Sequence, residues 1–306
     1  MSFFLITGEG FSALETGISS LNNQQSHIDT IEAMIKIVEL DENVTSVGIN
    51  SWPNMLGEME FDAAIIDGTS KESGVVGALK QALHPISVAR RVKETLPHVV
   101  LVGEGARHFA DEQGFGRHIA LTPHSLTGYT NWLKQHKLTD IASLKLSELA
   151  WKTADPQKAG GTVALMVMDE TNSMAAGVST SGWAWKHPGR LGDSPIIGAG
   201  IYADTRYGAA GCIGHGEYAI RTVAAKSIVQ YMECGLSVKE AVLKVADEII
   251  RLPKRMKAAI GLHAVSSKGE PFLAALGGFT EPYYFWQSGM AQAQKREADI
   301  IINWPE

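Results

Sequence analysis

Cysteine is scarce in this chain of 306 residues, which carries only Cys212 and Cys234. Two are too few for a disulfide framework and lack zinc-site spacing, so both are expected as reduced thiols. Long apolar runs are missing too. No stretch approaches the roughly 18 residues that a membrane span needs. The opening Met1–Ile6 has neither a basic flank nor a small-residue cleavage site. A cytoplasmic protein without a membrane partner is the expectation. Positive charge is in deficit, 27 Lys and Arg against 33 Asp and Glu, which leaves no basic field for nucleic acid. The ten histidines form no His-Glu-x-x-His pair and no Cys/His cluster, so no catalytic metal is expected. Ser179 and Ser181 are not in a Gly-x-Ser-x-Gly elbow. Neither internal repeats nor low-complexity tracts occur.

What is present reads as a globular composition, 45% hydrophobic and 20% charged, sufficient to bury a core as one large domain or two small ones. Phe3–Thr7, Val44–Ile49 and Phe61–Ile66 read as strands, and Ser12–Leu21 as a helix. Ile28, Ile31, Met34, Ile35 and Val38 recur at helical spacing and predict an amphipathic helix over Ile28–Leu40. Pro85, at a first helical position, opens a helix to about Leu96. His98–Val102 has the run of a buried strand, and Gly103–Gly114 and Ser125–Gln135 read as helices. From about Thr139 to Gly161 the character changes, with a short helix and then the polar, small-residue loop Thr153–Gly161, the natural boundary. Beyond it, strands are expected at Thr162–Met168, Met174–Thr180, Tyr207–Cys212, Ile260–Ser266, Phe272–Leu276 and Pro282–Trp286. A long helix is expected over Glu217–Cys234, and another from Ser237, where Ser237 and Glu240 match a capping box. Strands cluster and helices come in runs, so the expected fold class is α+β layers.

Gly8-Glu9-Gly10-Phe11-Ser12-Ala13 has the G-x-G-x-x-A form of a dinucleotide loop, with Asp29 near the position of a ribose contact. The chain beyond it does not continue as parallel βαβ units. A strand-to-helix turn accounts for the glycines, and no cofactor is expected. Gly160-Gly161-Thr162 is more telling, because it is flexible before the threonine and an apolar strand after it. That suits a hydroxyl that cuts its own backbone and then serves as an N-terminal nucleophile. Such a threonine carries its own base, since an α-amine with a pKa of about 7.7–8.0 is partly neutral at physiological pH. Thr180 ends the strand expected to pair with the one begun by Thr162, and could hold that hydroxyl toward a carbonyl; a β-branched residue also simply suits a strand. Arg190 and Asp193 lie in a loop punctuated by Gly189, Gly192 and Pro195. An arginine fork pairs a carboxylate and an aspartate accepts from an ammonium; a salt-bridged loop is the plainer alternative. Gly211–Glu217 leads from strand to helix, where backbone N–H groups are natural oxyanion donors or merely part of a packing turn.

Gly161-Thr162-Val163, Ser179-Thr180-Ser181-Gly182, the unbroken run Gly189–Gly200 and Gly214-His215-Gly216-Glu217 together resemble the N-terminal-nucleophile hydrolases of the glycosylasparaginase and isoaspartyl peptidase (plant-type asparaginase) family. Leu56-Gly57-Glu58, Asp67-Gly68-Thr69, Ile86–Arg90 and Val102–Ala106 look like its glycosylasparaginase branch. The resemblance runs from about Ile28 to Ser267. It implies a single-domain, four-layer αββα sandwich whose precursor is cut once, between Gly161 and Thr162, into an α subunit (1–161) and a β subunit (162–306). It implies that Thr162 attacks the side-chain amide of an asparagine-type substrate and forms a covalent β-aspartyl ester. Thr180 would steady Thr162, the Gly214 N–H would stabilise the oxyanion, Arg190 would bind the α-carboxylate and Asp193 the α-ammonium. The implied assembly is a homo-oligomer of αβ units, (αβ)2. A glycosylasparaginase-like activity is the leading expectation, with isoaspartyl peptidase or asparaginase as the alternative.

Three positions depart from the pattern. Ile213 stands where the family usually has a threonine supplying a second oxyanion donor, and losing one such donor costs about 10² to 10³ in rate; a degenerate member with little turnover is therefore a further alternative. Gly161 stands where typical glycosylasparaginases have aspartate. Thr7-Gly8-Glu9-Gly10 lacks the tryptophan that glycosylasparaginases place beside their substrate.

Overall fold

The computed structural model describes residues 1–153, 161–253 and 259–304. Of the loop expected over Thr153–Gly161, residues 154–160 lie outside the described residues. The first half supplies β1 (Phe3–Thr7), α1 (Leu14–Asn22), α2 (His27–Leu40), β2 (Phe61–Asp67), β3 (Ser73–Leu79) and α3 (Pro85–Thr95). It continues with β4 (Val100–Val102), α4 (Gly103–Glu112), α5 (Pro123–Gln135) and α6 (Leu146–Thr153). After Thr162 come β5 (Val163–Met168), β6 (Met174–Thr180), β7 (Ile201–Asp204), β8 (Gly208–Gly214), α7 (Gly216–Thr222), α8 (Ala224–Glu233) and α9 (Val238–Ile250). The chain closes with β9 (Ile260–Ser266), β10 (Pro271–Leu276), β11 (Tyr283–Gln287), β12 (Gln294–Arg296) and β13 (Ile300–Ile302).

The strands form two sheets, ordered β12-β11-β1-β5-β6-β2-β3-β4 and β13-β10-β9-β8-β7. Parallel pairs β3–β4 and β10–β13 make both sheets mixed. The apolar run of β5 is explained by burial on both faces. Its Ala164, Met166 and Met168 meet Ile201, Ala209, Ile213, Val265 and Leu273 of the second sheet in one buried cluster. Its Val163, Leu165 and Val167 face Ile31, Met34 and Ile35 of α2. Helices α3 and α4 cover β2 and β3 through Val88, Val92 and Phe109, and α8 and α9 cover the second sheet through Ile228, Val229, Val242 and Val245. Each such side chain, fully buried, contributes about 1.5–3 kcal/mol. The result is an α+β fold with two sheets between helices, as the clustering of elements predicts.

Local departures from the sequence reading have identifiable causes. Val44–Ile49 is not a strand; the segment ends in a 3₁₀ turn at Gly48–Asn50. Gly48 has φ +69°, and a Cβ there would lie 1.9 Å from the Glu39 carbonyl, so the chain doubles back against α2 where only glycine fits. His98–Val102 is not buried: among the described residues Val100–Val102 pairs with β3 alone, at the sheet edge, and Val100 and Val102 are about half exposed, at 53% and 51%. The single helix expected over Glu217–Cys234 is split at Val223, which adopts φ +48°. The break lets the Ala225 and Lys226 N–H groups donate to the Ala199 and Gly198 carbonyls, at 3.3 and 2.8 Å, and so ties α8 to the loop beyond Asp193. Strand β8 runs two residues past Cys212 and places Gly214 at its end. Strand β3 went unread because Gly74 and Gly77 dilute its β pattern; a Cβ on Gly74 would meet the Ala89 carbonyl at 2.0 Å. The capping box of Ser237 and Glu240 is formed.

Candidate active site

Antiparallel pairing sets Val163 opposite Ser179, so Thr162 and Thr180 stand together at one end of β5 and β6. Thr162 Oγ1 donates to Thr180 Oγ1 at 3.0 Å. Thr180 Oγ1 in turn donates to the Gly161 carbonyl oxygen at 3.1 Å and accepts from the Gly182 N–H at 3.0 Å. The hydroxyl of Thr180 thus uses its one donor and both acceptor positions. From the other flank, Thr7 Oγ1 donates to the Thr162 carbonyl at 2.9 Å and accepts from the Ala164 N–H at 3.0 Å. Both threonines of the pair are buried.

Gly161 has φ +107°, and a Cβ there would sit 1.9 Å from Ser46 Cβ and 2.1 Å from Ser46 Oγ. No larger residue fits without moving Ser46. Ser46 is itself pinned, since its Oγ donates to Glu9 Oε1 at 2.7 Å and its carbonyl accepts from the Ser181 N–H at 3.0 Å. Thr7, Glu9 and Ser46 were not singled out as site residues from sequence. Glu9 sits in the glycine-rich turn that resembled a dinucleotide loop. That turn is a 3₁₀ segment over Gly8–Ala13 following a strand whose neighbours are both antiparallel, which is not a βαβ unit.

Arg190 lies with its guanidinium 4.7 Å over the Trp183 ring, and its Nε and Nη2 donate to Glu217 Oε1 at 3.2 and 2.8 Å. Its Nη1 is 3.3 and 3.1 Å from where Cβ atoms of Gly182 and Gly192 would be, so these two glycines leave the room it needs. Asp193 is buried, and its Oδ2 has no hydrogen-bond partner among the described residues. Its Oδ1 lies 2.3 Å from the position a Gly216 Cβ would take, which explains that glycine at the start of α7. The Asp193 carbonyl accepts from the N–H groups of Ile196 and Gly200, at 2.8 and 3.1 Å. Burial pushes the Asp193 carboxyl up to about 7, against the pull of the Arg190 charge.

The Arg190 loop is anchored from beneath. The Gly189 N–H donates to both Glu60 carboxylate oxygens, at 3.2 and 3.1 Å. Glu60 and Asp62 flank the buried ammonium of Lys186 at 3.9 and 4.0 Å. Burial pushes that ammonium's pKa down, opposed by the two carboxylates. Nothing in the sequence marks Glu60, Asp62 or Lys186 as buried. Gly214 has φ +112°, and a Cβ there would meet the Ala259 carbonyl at 2.3 Å. Ile213 is fully packed in the core between the sheets. Beyond Gly214, the His215 ring meets Trp183 edge-on at 4.7 Å, and burial lowers its pKa. Among the described residues no three His, Cys, Asp or Glu side chains are grouped to hold a metal ion, and no helix is long and apolar enough to cross a membrane.

The model of a family described as asparaginase matches residues 10–294. The chain belongs to that family. Its members are N-terminal-nucleophile amidohydrolases. Among curated relatives, the chain is 36% identical over 248 residues to an N(4)-(beta-N-acetylglucosaminyl)-L-asparaginase of Elizabethkingia miricola, covering 79% of this chain and 69% of the relative. It is 35% identical over 260 residues to an isoaspartyl peptidase of Salmonella typhimurium, covering 84% and 80%. It is 32% identical over 285 residues to an isoaspartyl peptidase/L-asparaginase of Mus musculus, covering 93% and 81%. Relatives with different substrate names thus fall within a narrow range of identity, 32–36%. They assign an asparaginase-family hydrolase and leave its subtype to the chemistry of the site.

Proposed function

We propose that this chain is an autoprocessed threonine amidohydrolase that cuts the β-amide of asparagine-type substrates, with a glycosylasparaginase-like preference. The observation that carries the reading is the hydrogen-bonded series Thr162 Oγ1, Thr180 Oγ1, Gly161 carbonyl oxygen. Thr162 Oγ1 adds to the Gly161 carbonyl carbon while the Thr180 hydroxyl stabilises the growing oxyanion. The carbon–nitrogen bond to Thr162 breaks, and its nitrogen takes up the hydroxyl proton. Water then hydrolyses the resulting ester, leaving residues 1–161 as α subunit and 162–306 as β subunit of one four-layer αββα domain.

The freed α-amine then serves as the base that makes turnover possible. It takes the Oγ1 proton as Thr162 attacks the substrate's side-chain carbonyl, and the Gly214 N–H faces the oxyanion. The proton passes to the departing nitrogen, and water releases aspartate from the β-aspartyl ester. Arg190 and Asp193 hold the α-carboxylate and α-ammonium; the Oδ2 of Asp193, which has no hydrogen-bond partner among the described residues, is free to accept from that ammonium. By family resemblance the cut form assembles as (αβ)2, which light scattering of the purified enzyme measures.

Competitive turnover of a glycosylated asparagine, a β-aspartyl dipeptide and free asparagine tests the preference. The highest kcat/KM is expected for the glycosylated compound; a dipeptide turned over fastest would make isoaspartyl peptidase the correct subtype. The second reading, a family member with little turnover, is favoured by one observation, the apolar burial of Ile213. Ile213→Thr is expected to cost about 1–3 kcal/mol of stability by placing a hydroxyl in that core. If the missing donor limits catalysis, kcat rises nonetheless. An unchanged or lower kcat, in protein that still folds, means another group already fills the role.

A further inference from the structure

We propose that Glu9, held by Ser46 beside residue 161, makes the leaving-group side of the site acidic and selects uncharged leaving groups over those bearing a carboxylate. The inference rests on the reading above and deepens it. Strand order sets the direction: β5, headed by Thr162, lies between β1 and β6. Arg190 and Asp193 lie in the loop after β6, so a substrate anchored there with its β-carbonyl at Thr162 extends its leaving group toward the β1 flank.

The turn after β1 carries Glu9. Its Oε1 lies 3.3 Å from the position of a Gly161 Cβ, and the Ser46 hydroxyl bound to it lies 2.1 Å from the same point. Once the chain is cut and residue 161 withdraws, a carboxylate and a hydroxyl border the space it leaves. Glu9 takes its hydrogen bond from a neutral hydroxyl, which does not cancel its charge. A second acid lies on the same flank. Glu281 precedes β11, the other partner of β1, and its buried Oε2 has no hydrogen-bond partner among the described residues. Burial and the nearby Glu9 charge push its carboxyl up to about 7.

The departing amino acid of a β-aspartyl peptide carries its own carboxylate close to the scissile nitrogen. Two like charges roughly 5–7 Å apart in a partly buried site disfavour that substrate by a factor of about 10 to 100. Ammonia or a sugar amine carries no such group, and sugar hydroxyls can donate to Glu9.

The test compares β-aspartyl-glycine with β-aspartyl-glycinamide, which differ only in that carboxylate. For the self-cleaved enzyme, kcat/KM is expected to be at least about tenfold higher for the glycinamide compound. Glu9→Gln is expected to narrow the ratio to within about threefold by raising turnover of the glycine compound. Should that variant fail to cut itself, raising ionic strength provides a measurement on the unaltered enzyme, and the ratio is expected to fall with salt. Equal kcat/KM for the two compounds, or a ratio that neither salt nor Glu9→Gln moves, overturns the inference while leaving the amidohydrolase reading intact. Turnover of neither compound by an enzyme that cleaves a glycosylated asparagine also overturns the inference, whereas failure to cleave all three removes the amidohydrolase reading.

Discussion

Thr162→Ala is expected to yield a single uncut 33.0 kDa chain with amide hydrolysis reduced at least about 10⁴-fold. The substitution removes the attacking hydroxyl and, because cutting fails, also withholds the α-amine that would act as base. One side chain therefore controls both events. The fold has little reason to fail, since the lost contact is one hydrogen bond to Thr180, worth about 1 kcal/mol; circular dichroism and thermal unfolding check this. Denaturing electrophoresis gives the first readout and product release from a β-aspartyl amide the second. A cut variant, or an uncut variant with full turnover, contradicts the assignment of Thr162.

Asp193→Asn is expected to separate stability from activity. Burial raises the Asp193 carboxyl to about 7, whereas an unfolded aspartate titrates near 3.9. Between about pH 4 and 7 the folded chain holds a proton that the unfolded chain has lost, so stability falls as pH rises through that window. Above pH 7 the full cost, on the order of a few kcal/mol, is present. Asparagine has no such term. The variant should match the parent near pH 4 and unfold at a higher temperature at pH 8. Its kcat/KM should fall about 10²- to 10³-fold, because a neutral amide no longer attracts the substrate ammonium. The pH profile supplies the independent check. In the parent, both Asp193 and the Thr162 amine must be deprotonated, so log kcat/KM rises with a slope approaching two at low pH; in the variant the slope is one. A stability gain with no pH dependence would mean that the carboxylate is compensated in the resting protein.

The Thr162–Thr180 pair was legible because Thr162 opens one apolar run of definite length and Thr180 closes the next. Antiparallel pairing of those runs brings Thr162 to Thr180 by register alone. The Arg190 and Asp193 loop was legible because its glycines and proline are too dense for helix or strand. The supporting residues were not. Glu60, Asp62 and Lys186 read as ordinary charges, since nothing in a local pattern states that a lysine is 4% exposed. Ser46 was hidden by a misread strand, and its meeting with Gly161 depends on a glycine at Gly48 that turns the chain back. Val223 adopts its left-handed backbone in the middle of a helical pattern because α8 is drawn to the Gly198 and Ala199 carbonyls, a tertiary demand that local propensity does not express. Contacts between distant segments decide these positions, and periodicity reports only contacts within one element.

Intact mass measurement with N-terminal sequencing of the purified enzyme tests the central claim most directly. The expected result is two chains, residues 1–161 and 162–306, the second beginning at Thr162 with a free amine and co-purifying with amidase activity. A single unbroken chain that hydrolyses β-aspartyl amides, or a cut at any other bond, would contradict it.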